Sequence, residues 1–378
     1  MSKVAVVASY APSLVRFRGH LLRTLVDMGH TVYAFAPDID GKVESWLRDA
    51  GIIARRFFLQ RTGMNFVADM RSISELRRLF LSVQPDVVLG YSVKPVVYGS
   101  WAAKLAGVRR ICSLISGLGY AFSGDSWKHK ALRAVVRRLY KEALRWNDVV
   151  MFQNPDDMEL FRQGRIVPDS ARIVVVRGSG VDLDHFRPTP LPQTGMTFLM
   201  ISRLLKEKGV EEYAEAARII RSRYPEARFL LVGPMDSNPG GISPTDLQRW
   251  TAGGFVEYVG EVDDVRPYIR QSTVYVLPSY REGTPRSVLE AMAMGRPIVT
   301  TDVPGCRQTV EDGLNGFLVP PRDPTALANA LERFIVDSRL ASRMGQASRR
   351  MAEERFDVRQ VTAAMLDAME LLVQPRGR

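Results

Sequence analysis

The chain has 378 residues, 46% apolar and 25% charged, which suits two domains of roughly 150–200 residues and excludes a disordered or fibrous protein. Its two cysteines, Cys112 and Cys306, lack Cys-x-x-Cys or Cys/His spacing, which argues against a disulfide framework or zinc site and fits a reducing compartment. The net charge of +11 lies in the first half: up to Pro188 there are 28 Lys+Arg against 17 Asp+Glu, whereas the remainder holds 24 of each. A basic half suggests an acidic partner, such as lipid headgroups or a phosphorylated acceptor. Nucleic acid is the weaker option, because no helix-turn-helix, zinc-finger or RNA-recognition pattern accompanies the charge.

The first apolar run, 4–7, is too short for a signal-peptide core. No stretch reaches the roughly 18–20 uninterrupted apolar residues of a spanning helix, since Lys94 and Lys104 break the most apolar window. The expected location is the cytoplasm, with peripheral contact at a membrane left open. Short β-branched runs predict strands at 4–8, 32–36, 53–58, 87–90, 111–115, 149–152 and 173–176. Amphipathic segments between them predict helices at 14–28, 67–83 and 127–146. Such alternation reads as βαβ units in a parallel sheet. A Gly/Pro-rich stretch then breaks the pattern, and 181–195 is expected to be a linker. Alternation restarts with strands at 198–201, 229–232, 256–259, 274–277 and 298–301, helices at 210–223 and 286–294, and a helical pattern over 323–372. The expected fold is α/β, with two doubly wound domains, 1–180 and 196–355, binding ligands in a cleft at the carboxyl ends of two sheets. A final helix, 356–378, is expected to return to the first domain.

The most informative segment runs Arg281-Glu282-Gly283-Thr284-Pro285-Arg286, then Glu290 and Gly295-Arg296-Pro297. It follows an apolar strand, turns at Gly283 and Pro285, and opens a helix near Arg286, where backbone N–H groups favour an anion. Glu282-x7-Glu290 with these flanks resembles the signature of family 4 retaining glycosyltransferases, as do Thr301–Gly305 and Asp312–Val319 downstream. The resemblance spans nearly the whole chain and is most specific over 198–320. It implies the GT-B fold and transfer of a sugar from a UDP-sugar. It implies that Glu282 and the Gly283-Thr284-Pro285 amides hold the donor sugar, with Glu290 on the ribose and Arg286 in the donor site.

Upstream, Arg203 and Lys208 flank a tight turn after the strand at 198–201, spaced to converge on one anion. The matching family residues bind the donor diphosphate. With Glu282 they form the expected catalytic group. Asp38/Asp40 and Asp182/Asp184 superficially match metal-holding Asp-x-Asp pairs, but both are read as structural. The family is generally metal-independent, so neither metal nor cofactor is expected. Gly19, before helix residues 20–28, is read as a close approach to the donor.

Lys94, Ser116, Gly117 and Tyr120 follow predicted strands and are read as acceptor-binding, although Lys94 reads equally as a surface lysine. The Gly117-Leu118-Gly119-Tyr120 turn resembles a subgroup that adds sugars, often N-acetylhexosamines, to lipid-linked glycans of the bacterial envelope. The implied acceptor is an undecaprenyl-diphosphate-linked glycan at the inner face of the cytoplasmic membrane. Arg55, Arg56, Phe57 and Phe58, with Lys130, Arg133 and Arg137 on the helix at 127–146, are the expected contacts to anionic lipid. A core-packed helix with a solvated basic face is the competing reading. A non-hydrolysing sugar-nucleotide epimerase and a non-catalytic nucleotide-sugar or membrane-binding protein remain alternatives, and the oligomeric state is open.

Overall fold

The computed structural model describes residues 1–372 except 62, 64, 120, 121, 123–126, 237, 239 and 338. These divide into two compact units: Met1–Ser179 together with the chain from Arg359 onward, and Gly180–Val358.

The first unit contains β1 (Lys3–Val7), α1 (Pro12–Asp27), β2 (Thr31–Ala36), α2 (Gly41–Asp49), β3 (Ile53–Arg56), α3 (Phe66–Val83), β4 (Val87–Tyr91) and α4 (Val93–Leu105). It continues with β5 (Arg110–Ile115), α5 (Trp127–Leu144), β6 (Val149–Phe152), α6 (Pro155–Gln163) and β7 (Arg172–Val175). Seven parallel strands lie in the order β3-β2-β1-β4-β5-β6-β7, with Val4 opposite Val32 on one side and Val87 on the other. Alternate residues serve opposite faces. Ala5 and Val7 join a core with Leu76 of α3, Val96 and Ala103 of α4 and Tyr140 of α5. Val4 and Val6 join Leu22 of α1, Leu47 of α2 and the C-terminal residues Val361, Met365 and Leu366. The last three belong to α13 (Val358–Ala368), which closes the second face of this sheet.

Local signals start the helices. Asn65 caps α3 and Asn154 caps α6, and Pro155 stands where a helix has a spare N–H. The strand expected at 53–58 stops at Arg56. Phe57 turns into the core at 4% exposure, and Phe58 is half-buried with the Arg71 guanidinium 4.2 Å from its ring. Phe57 and Phe58 therefore do not form the expected lipid-facing surface, although Arg55 and Arg56 are exposed.

The second unit contains β8 (Thr197–Ile201), α7 (Val210–Arg223), β9 (Arg228–Val232), α8 (Pro244–Ala252), β10 (Glu257–Gly260), α9 (Arg266–Gln271) and β11 (Val274–Leu277). Then follow α10 (Arg286–Ala293), β12 (Ile298–Thr301), β13 (Gly316–Val319), α11 (Pro324–Val336) and α12 (Leu340–Arg355). Its six parallel strands run β10-β9-β8-β11-β12-β13 around a core rich in Phe198, Phe229, Tyr275 and Phe334.

The stretch expected to be a linker, 181–195, is instead built into this unit. Val181, Leu183 and Phe186 are buried in its core. Val181 N–H donates to Phe356 O at 2.8 Å and Val358 N–H to Val181 O at 3.0 Å, so the unit's entering and leaving segments are bonded together. Arg296, fully buried, holds the stretch further on. It donates to Thr189 O (2.8 Å), Thr189 Oγ1 (2.8 Å) and Pro190 O (3.2 Å), and also to Ile269, Arg270 and Met294 carbonyls. Burial lowers its pKa to about 10. The Gly/Pro composition that suggested a linker reflects a surface path pinned by long-range hydrogen bonds.

Candidate active site

The strand order places a switch point between β8 and β11: from β8 the chain moves outward through β9 and β10, then returns to β11 on the other side. Loops leaving the carboxyl ends of two such strands diverge, and the crevice between them is where open α/β sheets bind ligands. Here these loops carry Arg203 and Lys208 after β8, and Glu282 after β11.

Lys208 ends a 3-10 turn, Lys206–Lys208, and Gly209 follows with φ +75°. A Cβ on Gly209 would lie 2.2 Å from Pro278 O, so only glycine lets the two loops meet. Tyr280 N–H donates to Glu207 O at 2.9 Å, and Glu282 N–H to Pro304 O at 3.0 Å, fixing the Glu282 loop from both sides. Lys208 Nζ then donates to Glu282 Oε1 at 2.5 Å, with the side chains 18% and 13% exposed. Ser279 Oγ donates to the same oxygen at 2.8 Å, and its carbonyl accepts from Thr301 Oγ1. The buried Cys306 lies behind the pair, its thiol pushed up to about 12 by burial and by the Glu282 charge.

Arg203 and Lys208, expected to converge on one anion, each have a carboxylate partner in the structure. Arg203 Nη1 donates to Asp236 Oδ2 at 2.8 Å. Asp236, on the loop after β9, is 10% exposed at its side chain. Burial acts to raise its pKa, but the Asn238 amide and the Arg203 charge outweigh this and hold it below the usual value. Neither Asp236 nor Ser279 carries a signal in the sequence. An acid within a Pro/Asn/Gly loop reads as a turn residue, and its ion partner lies 33 positions away.

Glu290 faces Arg286 one helical turn earlier, with Nε donating to Oε1 at 2.8 Å. Gly283, Thr284 and Pro285 are buried, and Thr284 Oγ1 donates to Gly283 O at 2.9 Å. Pro285 has no N–H and cannot join the expected amide cradle. Its carbonyl caps α10, accepting from Val288 at 3.1 Å and Leu289 at 3.3 Å. Gly19 does not form the expected close approach to the donor: it is buried, and a Cβ there would meet the Trp46 ring at 3.1 Å. It makes room for Trp46 rather than a ligand.

In the first unit the switch point lies between β1 and β4. Its loops meet where Ser13 Oγ bonds Tyr91 OH at 2.8 Å, and the nearly buried Arg18 sits 5.1 Å over the Tyr91 ring. Lys94 Nζ, on the first turn of α4, donates to Gln60 O at 2.8 Å and Asp69 Oδ1 at 2.9 Å. Ser116 and Gly117 are half-buried at the end of β5, and Tyr120 lies outside the described residues.

On α5, Val136 and Tyr140 pack inward, Lys130 and Arg137 are exposed, and the half-buried Arg133 lies 5.7 Å over Phe122. Trp127 (74%) and Val135 (43%) are exposed on the same helix, and Phe66 (80%) and Val67 (77%) at the start of α3.

Three of the four Asp-x-Asp carboxylates bond backbone: Asp38 accepts from Ala11 N–H (2.8 Å), Asp40 from Val43 N–H (2.9 Å), and Asp182 from the amides of Asp184 and His185 (3.0 Å each). Among the described residues no group of three or more His, Cys, Asp or Glu is placed to hold a metal, and no helix is long and apolar enough to cross a membrane.

Two family models match the chain, a glycosyl transferase 4-like domain over residues 14–178 and the group 1 glycosyl transferases over 195–337. The chain is 26% identical to the N,N'-diacetylbacillosaminyl-diphospho-undecaprenol alpha-1,3-N-acetylgalactosaminyltransferase of Campylobacter jejuni, an alignment covering 89% of this chain and 90% of that one. It is 27% identical to the UDP-Gal:alpha-D-GlcNAc-diphosphoundecaprenol alpha-1,3-galactosyltransferase of Escherichia coli, covering 84% and 83%. Among solved structures it resembles sucrose-phosphate synthase from Thermosynechococcus elongatus, with a TM-score of 0.83 at 20% identity over 98% of this chain and 99% of that one. HepE of Anabaena in complex with UDP-glucose gives a TM-score of 0.77 at 19% identity, covering 98% and 100%. With two parallel-sheet units and both domain models matched in order, the chain is a GT-B glycosyltransferase, built from a glycosyl transferase 4-like domain followed by a group 1 glycosyl transferase domain.

Proposed function

We propose that the protein transfers an N-acetylhexosamine or related sugar, with retention, from a UDP-sugar to an undecaprenyl-diphosphate-linked glycan, without a metal or other cofactor. The observation that carries this reading is the Lys208–Glu282 pair at the switch point of the second unit, bonded at 2.5 Å and backed by Ser279. The bond from the sugar's anomeric carbon to the β-phosphate oxygen breaks, and the acceptor hydroxyl attacks from the same face. Its proton passes to the departing phosphate oxygen, and UDP leaves. Lys208 and Arg203 neutralise the charge that develops on the diphosphate, the electrostatic work that other transferases assign to a cation. Glu282 orients the sugar hydroxyls. Its bonds to Lys208 and Ser279 favour a positioning role over that of a mobile nucleophile.

Two relatives named for undecaprenol-diphosphate acceptors support the acceptor class. The basic first unit supports contact with anionic lipid at the inner face of the cytoplasmic membrane. Its surface offers Trp127 and Val135 with Lys130 and Arg137 on α5, and Phe66 and Val67 on α3, two helices that flank α4 on one side of the sheet.

The test is UDP release from UDP-N-acetylgalactosamine, UDP-N-acetylglucosamine, UDP-galactose and UDP-glucose, with and without bacterial lipid extract, for wild type and Glu282→Ala. Lipid-dependent release that Glu282→Ala abolishes is expected. Release that ignores lipid, or survives the substitution, would overturn the acceptor class or the role of Glu282 respectively.

A further inference from the structure

The loop after β9 does more than support its neighbour. It is zipped to the loop after β8 by four backbone hydrogen bonds: Ser202 N–H to Val232 O (3.0 Å), Leu204 N–H to Pro234 O (3.0 Å), Ile242 N–H to Leu204 O (3.0 Å) and Lys206 N–H to Gly240 O (2.9 Å). Within this zipper Asp236 is fixed from its own side, because Oδ1 accepts from Asn238 N–H at 2.9 Å and from Asn238 Nδ2 at 2.5 Å. Its other oxygen, Oδ2, takes Arg203 Nη1. Arg203 is 48% exposed at its side chain, and its Nε and Nη2 have no protein partner among the described residues.

An arginine this exposed would ordinarily sample many rotamers. Here Nη1 of its planar fork is tied to a nearly buried carboxylate, and the Nε/Nη2 edge carries no protein bond among the described residues. That edge has the geometry for two parallel bonds to a phosphate group.

We propose that Asp236 is a positioning residue for the nucleotide diphosphate: it holds the Arg203 guanidinium so that the Nε/Nη2 edge grips the departing UDP. The inference rests on the reading of Arg203 as a diphosphate ligand. It assigns Asp236 the work of immobilising Arg203 before the donor arrives, so that binding does not lose that side-chain freedom.

Simple charge arithmetic predicts the opposite effect. Deleting an anion beside a diphosphate site should tighten UDP, so a loss of affinity would report geometry and not net charge. The experiment measures UDP binding by calorimetry, and kcat/KM for UDP release, on the full chain carrying Asp236→Asn, Arg203→Ala or both. Asn keeps an acceptor for the Asn238 amide while losing the ionic tie to Arg203, and the thermal midpoint checks the fold.

The expected result is about threefold to tenfold weaker UDP binding and lower kcat/KM for Asp236→Asn, the range that freeing one rotamer-rich side chain implies. The same substitution should do nothing further in the Arg203→Ala background. A purely structural Asp236 would weaken both backgrounds alike, and that outcome would overturn the proposal. So would unchanged or tighter UDP binding by Asp236→Asn while Arg203→Ala loses it. If Arg203→Ala alone leaves UDP binding intact, or wild type does not bind UDP, the reading of Arg203 itself falls, and the positioning role with it.

Discussion

Gly209 stands between the two loops that carry Lys208 and Glu282, and Gly209→Ala should separate them. Its φ of +75° is a conformation that costs an alanine about 1–2 kcal/mol. The new Cβ would also lie 2.2 Å from Pro278 O, where ordinary contact begins at 3.4 Å, so the backbones must part by about 1.2 Å. Lys208 precedes the wedge directly, and Glu282 lies four residues beyond Pro278. Their 2.5 Å bond would open past hydrogen-bonding reach. A displacement of about 1 Å in a positioned group costs on the order of a hundredfold in rate. The expected outcome is a loss of roughly a hundredfold in kcat/KM for UDP release, with a folded protein of lower thermal midpoint. Steady-state kinetics together with a melting curve measures both. A folded Gly209→Ala variant within about threefold of wild-type kcat/KM would refute the claim that this spacing governs turnover.

Four further outcomes are expected. Arg296→Met removes a fully buried guanidinium and leaves the carbonyls of Thr189 and Pro190 short of donors, at about 1–3 kcal/mol each; a loss of about 3–5 kcal/mol and a midpoint lower by roughly 10 °C should follow in thermal unfolding, and a fall under about 2 °C would contradict it. Cys112 and Cys306 are buried with both thiols pushed up to about 12, so neither should react with a thiol reagent at pH 8 until urea unfolds the chain. Because the unfolded thiols ionise near about pH 8.5 and the folded ones do not, each should also cost stability as pH rises above that value, read as a falling midpoint. Phe66→Ser with Trp127→Ser should cut co-sedimentation with phosphatidylglycerol vesicles at least about tenfold, since each exposed aromatic is worth about 1.5–3 kcal/mol once buried. Unchanged partitioning would refute a role for α3 and α5 in lipid contact.

The sheet strands were legible because parallel strands buried on both faces read as short apolar runs. All five residues of β4 are buried. The helix α4 was not legible for a related reason. Eight of its thirteen residues are buried, leaving almost no polar face to reveal a helical period. The motif around Glu282 announced itself because strand, turn and helix lie consecutively in the chain. Its partners did not. Ser279 is a common residue in an unremarkable position, and the tie between Asp236 and Arg203 exists only once two neighbouring loops are zipped together. Gly19 and Phe57 are not legible because sequence alone cannot distinguish an open approach from one filled by Trp46, or an exposed aromatic from one folded into the core.

The bonding of Val181 to Phe356 and Val358 makes the second unit a cassette whose two cut ends lie side by side. Exchanging 180–358 between related transferases would carry the Arg296 clasp and its carbonyl partners across intact. A boundary drawn at 195, where composition alone suggests one, would leave Thr189 and Pro190 behind and strand a buried cation in the transplanted piece. Chimeras that exchange this unit therefore have a natural pair of splice points, bridged to each other in space and nearly half the chain apart in sequence.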